Sequence, residues 1–436
     1  MSLFADAAGR LNVAPWSLAP FVVLLLSIAI LPLVAAKFWH SNLRKLLVSV
    51  GLAVPVAAYL CYLEWRGAQP GLLKLEHALL EYVDFIVLLA ALYTVAGGIA
   101  LQGQFRPTPF VNAGFLLLGA VLANVIGTTG ASMLLIRPFL RINAIRAHRG
   151  HLPLFFIFVV CNLGGLLTPL GDPPLFLGFL NGVDFFWTLS LWPHWLMANS
   201  SVIGIALVWD ALAYWREPDR AAFPPRHGSL VIGGSINIVF LAGILAAVLL
   251  QSASVAGDLK LERPWPSALM AAMALLSWFF TPPSVRENNQ FSFESIIEVT
   301  VIFVGIFVTM VPALALLAQH RADLGITRAW QYFWLTGAVS SILDNTPTYM
   351  TFATLASGQP DFGPLATQEP LILQAISAGA VFMGAMTYIG NGPNFMVKSI
   401  AESFGYPMPS FFGYLAYASV ILLPVFVLVA FVFFAG

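Results

Sequence analysis

The chain has 436 residues, of which 59% are hydrophobic and only 9% are charged, and its formal net charge is zero. A soluble protein of this length could not bury so much apolar surface, so the composition excludes a soluble fold and predicts an all-α polytopic membrane protein. The balanced charge argues against nucleic acid as a partner.

Apolar runs long enough to span a membrane recur along the whole chain. In chain order they lie at about 16–36, 45–63, 79–101, 154–181, 189–212, 229–250, 265–281, 293–318, 372–403 and 410–435. We interpret the first run as a transmembrane helix and not a signal peptide, because it is too long and further spans follow it.

Two further stretches, at about 109–140 and 328–357, each consist of two short apolar arms around a polar centre. Each arm has about a dozen residues, which is too short to cross a bilayer, so each stretch predicts a re-entrant helical hairpin. The sequence therefore predicts about ten transmembrane helices plus two hairpins.

The predicted elements fall into two halves of the same order, residues 1–212 and 229–436, joined by a polar linker at 213–228. Each half has three spans, a hairpin, a broken span and a final span. An odd number of crossings per half inverts the second half, which is the inverted-repeat plan of many secondary transporters. Lys and Arg are more numerous in the loops of one side, which predicts a cytoplasmic linker and both termini outside.

A short phrase occurs once in each half. The segments Thr168 to Phe176 and Thr387 to Phe395 share Thr, Gly, Asp or Asn, Pro and Phe. Each shared position in the second segment lies the same number of residues after its match in the first (387 − 168 = 219). Each copy lies in a long apolar run, at about 154–181 and 372–403, where Gly and Pro interrupt a helix. Matching breaks in two halves point to a transporter's binding site. Kinks that only shape packing are the alternative.

We predict cation- and proton-binding residues at the breaks and at the hairpin tips. At the breaks they are Gly171, Asp172, Gly390 and Asn391. At the tips they are Asn124, Thr128, Thr129, Asp344, Asn345 and Thr346. Their oxygens suit Na⁺ and their N–H and O–H groups suit a carboxylate. Capping of helix ends is the structural alternative. Asn124 can be matched to either Asp344 or Asn345 in the second tip.

Carboxylates in the bilayer are the sharper signal, because a charged side chain there costs on the order of 3 kcal/mol or more unless it is paired or solvated. Asp172 and Asp344 lie within the polar centres, and a buried carboxylate at a cation site can exchange a proton for Na⁺. We expect Asp172, Asp344, Asn345 and Thr129 to be the Na⁺ ligands.

Asp84 and Glu298 hold similar places near the starts of the third spans of the two halves (298 − 84 = 214). They are candidate proton relays, or else interfacial acids near helix N-termini.

No enzyme motif is present in the sequence, which contains no P-loop, HExxH or CxxC. We therefore expect no enzymatic activity and no cofactor, and transport driven by an ion gradient or running downhill. A non-transporting membrane scaffold would leave the two acids inside the bilayer unexplained.

The hairpin tips and broken spans together resemble the ion transporter superfamily, which includes divalent-anion/sodium symporters, citrate transporters, arsenite pumps and NhaD-type sodium/proton antiporters. The resemblance covers about 16–435, and its phrases Gly127 to Ser132 and Leu343 to Thr348 are most similar to bacterial sodium/proton antiporters and citrate transporters. It implies a bacterial inner-membrane protein with an elevator mechanism, in which hairpins and broken spans slide against a scaffold that often dimerises.

The tips depart from the dicarboxylate branch of that superfamily, whose tips read Ser-Asn-Thr. Here the second tip has Asp344 in place of Ser, and the first broken span adds Asp172. Two anions repel a di- or tricarboxylate and favour a small inorganic cation that competes with protons. The sequence thus favours Na⁺ (or Li⁺)/H⁺ antiport, with cation-coupled citrate or dicarboxylate transport as the alternative.

Overall fold

The computed structural model describes residues 11–67, 70–103, 105–218, 223 and 231–435. These residues are helical almost throughout, and the prediction of an all-helical polytopic membrane protein is confirmed. Seven of the described helices are long and apolar enough to cross a membrane, and four shorter apolar helical segments accompany them. The predicted number of ten spans stays a prediction.

The first half contains eight α-helices among its described residues. They are α1 (Ala19–Val34), α2 (Ala36–Trp39), α3 (Asn42–Trp65), α4 (Gly71–Ala96), α5 (Pro109–Asn143), α6 (Leu152–Val159), α7 (Pro173–Leu180) and α8 (Trp192–Trp215). The predicted linker at 213–228 begins within the end of α8, and its residues 219–222 and 224–228 lie outside the described part of the chain.

The second half contains eleven α-helices among its described residues. They are α9 (Asn237–Leu249), α10 (Ala253–Ala256), α11 (Trp265–Phe280), α12 (Pro283–Asn288), α13 (Glu294–Gln319), α14 (Ala329–Ser340), α15 (Asn345–Ser357), α16 (Gly363–Gln368), α17 (Pro370–Met383), α18 (Gly392–Ser403) and α19 (Phe411–Phe434). One antiparallel ladder joins the halves, between β1 (Ala100–Gln102) and β2 (Val231–Gly233).

Helix α5 reverses direction at Gly127, where φ is 76° and ψ is 157°. Asn112 and Asn143, near its two ends, donate hydrogen bonds to each other's side-chain oxygens at 3.0 and 2.7 Å. In a straight helix their 31-residue separation would place them about 46 Å apart. Gly127 therefore divides α5 into two arms that lie side by side.

The helices α4 and α13 run antiparallel at the centre of the fold. Tyr82 packs against Phe307 at 5.8 Å, while Tyr93, further along α4, donates a hydrogen bond to the backbone oxygen of Ser292 at 2.8 Å. The residue numbers thus rise along one helix as they fall along the other. The third helical spans of the two halves point in opposite directions.

We predict that cysteines at positions 112 and 143 can be cross-linked. In a background of Cys61→Ala and Cys161→Ala, Asn112→Cys with Asn143→Cys should react with a short bifunctional thiol reagent, because the native side chains touch. The reaction is measured after denaturation, because cross-linked thiols can no longer react with maleimide-polyethylene glycol. The control is Asn112→Cys with Val125→Cys, which lie about 20 Å apart along one arm. A cross-link only in the control would contradict the reversal.

Candidate functional site

Four elements meet at the carboxylate of Asp172, which is 1% exposed. Its Oδ1 accepts hydrogen bonds from Thr128 Oγ1 at 3.1 Å and from Asn391 Nδ2 at 3.4 Å. Its Oδ2 accepts a hydrogen bond from Asn345 Nδ2. The break before α7 is thereby joined to the tip of α5, to the start of α15 and to the break before α18.

The two breaks have the same local backbone. Asp172 (φ −141°, ψ 141°) and Asn391 (φ −151°, ψ 139°) are both extended, and each precedes a helix that starts with Pro in its first two positions. A Cβ at Gly171 would lie 2.2 Å from the backbone oxygen of Gly165, and a Cβ at Gly390 would lie 2.6 Å from that of Gly384. Glycine is needed at both breaks because two backbone segments pass so closely.

Each break is also tied to the hairpin tip of its own half by the first residue of the repeated phrase. Thr168 Oγ1 donates to the backbone oxygen of Asn124 at 2.5 Å, and Thr387 Oγ1 donates to that of Ser341 at 2.6 Å. By this hydrogen bond, the residue that corresponds to Asn124 in the second tip is Ser341. The sequence had offered Asp344 or Asn345 as the match, and neither occupies that place. Asn124 also accepts a hydrogen bond at Oδ1 from the backbone N–H of Leu167.

Helix starts surround the site. Helices α7, α15 and α18 begin directly after Asp172, Asp344 and Asn391, and the second arm of α5 begins after Gly127. Each helix N-terminus carries the equivalent of about +0.5 charge. The positive ends of four helices therefore act on the buried carboxylate.

The side-chain oxygens of Asn345 and Thr346 are buried without a hydrogen-bond partner. Asn345 is 0% exposed, and while its Nδ2 donates to Asp172, its Oδ1 makes no hydrogen bond. A buried acceptor left unsatisfied costs about 1–3 kcal/mol. This oxygen is available to a ligand that binds next to Asp172.

Asp344 caps helix α15. Its Oδ1 accepts a hydrogen bond from the backbone N–H of Thr346 at 2.9 Å, and its own carbonyl accepts one from Thr348 Oγ1. Asp344 is half-buried and acts electrostatically on Asp172. Thr129 is half-buried on the opposite tip.

Sequence reasoning missed Asn162 and did not select Asn394. Asn162 is 0% exposed, donates from Nδ2 to Asn394 Oδ1 at 2.8 Å and accepts a hydrogen bond at Oδ1 from Asn391 at 3.2 Å. Asn162 could have been found in the sequence, because it is an isolated amide in the apolar run at about 154–181.

The relay candidates Asp84 and Glu298 lie in ion pairs outside this site. Asp84 on α4 pairs with Arg263 Nε at 2.6 Å, and Glu298 on α13 pairs with Lys45 Nζ at 2.6 Å. Each pair links an acid on the third span of one half to a base at the start of the second span of the other half. Asp84 lies midway along α4 and not near its start.

No ion pair among the described residues joins a Lys or Arg to Asp172 or Asp344. Arg137 is buried, but it lies nine residues beyond Thr128 and thus about 14 Å further along its arm. Its Nε donates to Gln290 at 3.4 Å. The charge at the site is set by carboxylates and helix ends.

Comparison with known proteins gives one family. A family model with the description "Putative citrate transport" matches residues 10–434. A search of curated proteins finds no match to the chain.

We predict that Asp84→Asn lowers the free energy of unfolding by about 1–3 kcal/mol, because Arg263 loses its carboxylate partner. Thermal unfolding in detergent, followed by tryptophan fluorescence, measures the change against the exposed-acid control Asp258→Asn. Ion flux in liposomes below the unfolding temperature should stay above half of the unsubstituted value. Flux abolished with unchanged unfolding would assign Asp84 to a proton relay.

Proposed function

We propose that this chain, which belongs to the citrate transport family whose model it matches over residues 10–434, exchanges Na⁺ (or Li⁺) for H⁺ at a site centred on Asp172. The match confirms the resemblance to the citrate-transporter branch of the ion transporter superfamily. Together with the membrane helices, it makes the chain a secondary transporter. The observation that carries the finer proposal is a buried carboxylate that has a free amide oxygen beside it and no basic partner in the part of the chain that the structure describes.

The donor set suits a small hard cation as cargo. The carboxylate of Asp172, the free Oδ1 of Asn345 and the hydroxyl of Thr128 are oxygen ligands, which Na⁺ prefers. Asp344 adds a second negative charge nearby. A proton and Na⁺ compete for the same carboxylate, so binding of one displaces the other, which is the basis of antiport.

An elevator movement in two inverted repeats is the proposed mechanism. It is supported by the antiparallel α4 and α13, by the reciprocal ion pairs of Asp84 and Glu298, and by the matching Thr bonds at the two tips. We assign α5, α14 and α15 with the broken spans to the moving body, and α3, α4, α11 and α13 to the scaffold. A homodimer in the bacterial inner membrane with both termini outside completes the proposal.

Coupled citrate or dicarboxylate transport is the second candidate, and the four helix starts favour it. They contribute about +2 charges at about +0.5 each, which two ionised carboxylates balance. Protonation of either acid would leave a field that attracts an anion. The family model's description points the same way.

We predict that Na⁺ added to liposomes holding the protein and a pH gradient releases the gradient, as read by dequenching of a pH-sensitive dye. Asp172→Asn and Asp344→Asn should both reduce the release to background. Asn preserves the size of the side chain, so both substitutions remove charge, and at position 344 Asn can also keep the helix cap. Asp258→Asn, in an exposed loop, is the matched control. If Asp344→Asn released the pH gradient as fully as the control variant, the antiport proposal would be wrong.

We predict that protons and Na⁺ compete. Below the titration of the exchanging acid, each unit of falling pH should raise the Na⁺ concentration for half-maximal exchange about tenfold, because one proton must leave for each Na⁺ that enters. Li⁺ and K⁺ arms define the ion selectivity. Uptake of labelled citrate under a Na⁺ or H⁺ gradient, without Na⁺-driven proton release, would instead support the second candidate.

A further inference from the structure

A cavity of about 1100 Å³ lies along one face of α8, away from Asp172. Its α8 wall includes Ser200, Gly204, Val208, Leu212 and Arg216, whose spacing of four forms a stripe inclined to the helix axis. From the first to the last is about 24 Å of helix. Half of a bilayer's hydrocarbon core is about 15 Å, so the groove is long enough to run through one leaflet and reach the headgroups.

The opposite wall is apolar and aromatic. It includes Leu154 of α6, Pro407 and Pro409 before α19, and Tyr417 on α19. The ring of Tyr417 lies 6.2 Å from that of Trp209, which is on α8. Tryptophan and tyrosine are typical of the depth at which acyl chains meet headgroups.

The polar end of the cavity is basic. His148, Arg149, His151 and Arg216 line it, and no Asp or Glu among the described residues does. His151 is already bonded to Asp210 at 3.0 Å, behind the wall. The other basic side chains line the end of the cavity that the sequence predicts to be cytoplasmic.

The two arginines of this end have no carboxylate partner. None of the ion pairs among the described residues includes Arg149 or Arg216. The guanidinium of Arg149 stacks on Tyr406 at 4.5 Å and donates to backbone oxygens.

Glu217 is the next residue after Arg216, but its carboxylate is turned to other donors. It accepts hydrogen bonds from the backbone N–H groups of Ala147 and His148, both at 2.9 Å. Its pKa is lowered overall, since these bonds and the nearby Arg146 outweigh the burial that raises it. The basic end of the cavity therefore stays uncompensated.

We propose that this cavity binds one anionic phospholipid, with the phosphate at Arg149 and Arg216 and an acyl chain along the α8 stripe. Basic pockets between membrane helices on the cytoplasmic side bind anionic headgroups. A free phosphate would use only the basic end and leave an apolar groove unfilled. The long apolar groove joined to a cationic end matches the chemistry of a whole lipid.

Native mass spectrometry of the protein released from nanodiscs tests the proposal. We expect one bound lipid from phosphatidylglycerol nanodiscs and none from phosphatidylcholine nanodiscs. Arg216→Gln should weaken phosphatidylglycerol binding about fivefold, the effect of one basic residue near a charged headgroup. Arg44→Gln, at an exposed base outside the cavity, should leave binding unchanged.

A second pair of variants tests the acyl groove. Gly204→Phe places a ring in open space inside the cavity and should remove the bound lipid, while Gly51→Phe on α3 also meets no neighbour and should retain it. Equal retention in both variants would overturn the proposal. So would equal binding of phosphatidylcholine, full displacement of the lipid by inorganic phosphate, or a dimer that covers this face and excludes lipid.

Discussion

Burying the carboxylate of Asp172 without a basic partner requires that neutral donors and helix ends replace its water. Charge removed from water costs several kcal/mol unless hydrogen bonds compensate. Thr128, Asn345 and Asn391 provide those bonds, and each belongs to a different element. The helices must be interrupted where these side chains meet, which explains why Gly and Pro interrupt long apolar runs. The breaks and the hairpin tips are thus consequences of one buried acid.

The two breaks share a backbone geometry but make different hydrogen bonds at the site. Asp172 of the first half only accepts, and two of its donors come from the second half. Asn391, its counterpart, donates to the carbonyl of Cys161 and to Asn162 Oδ1 in the first half. Because one half provides an acid and the other a neutral amide, the charge at the site is distributed asymmetrically. Repetition of the break motif therefore does not require two equivalent binding sites.

Much of this arrangement could be predicted from the sequence, because Gly, Pro and polar residues stand out in apolar runs. The convergence of Thr128, Asp172, Asn345 and Asn391 follows from such local signals. The contact between Asn162 and Asn394, which are 232 residues apart, could not be predicted, because neither residue is part of a hairpin tip and no matching position in the other half marks Asn162. Hydropathy also placed the start of the third span at about 79, whereas α4 begins at Gly71, since Lys74, Glu76 and His77 lower the hydropathy of its first two turns.

The base of the first hairpin is fixed to the helix that lines the cavity. Asn112 donates to Asp210 of α8 at 2.8 Å, and Arg146 pairs with the same carboxylate at 2.6 Å. Asp210 is next to Trp209, which lines the cavity, so these bonds tie the cavity wall to the base of the hairpin. Under the proposed elevator movement, the basic end of the cavity would change its depth together with Asp172. A lipid bound there shifts the equilibrium between the two positions of the site only to the extent that it binds more tightly in one position than in the other. An anionic headgroup provides that difference, because the potential that holds it is confined to the membrane surface.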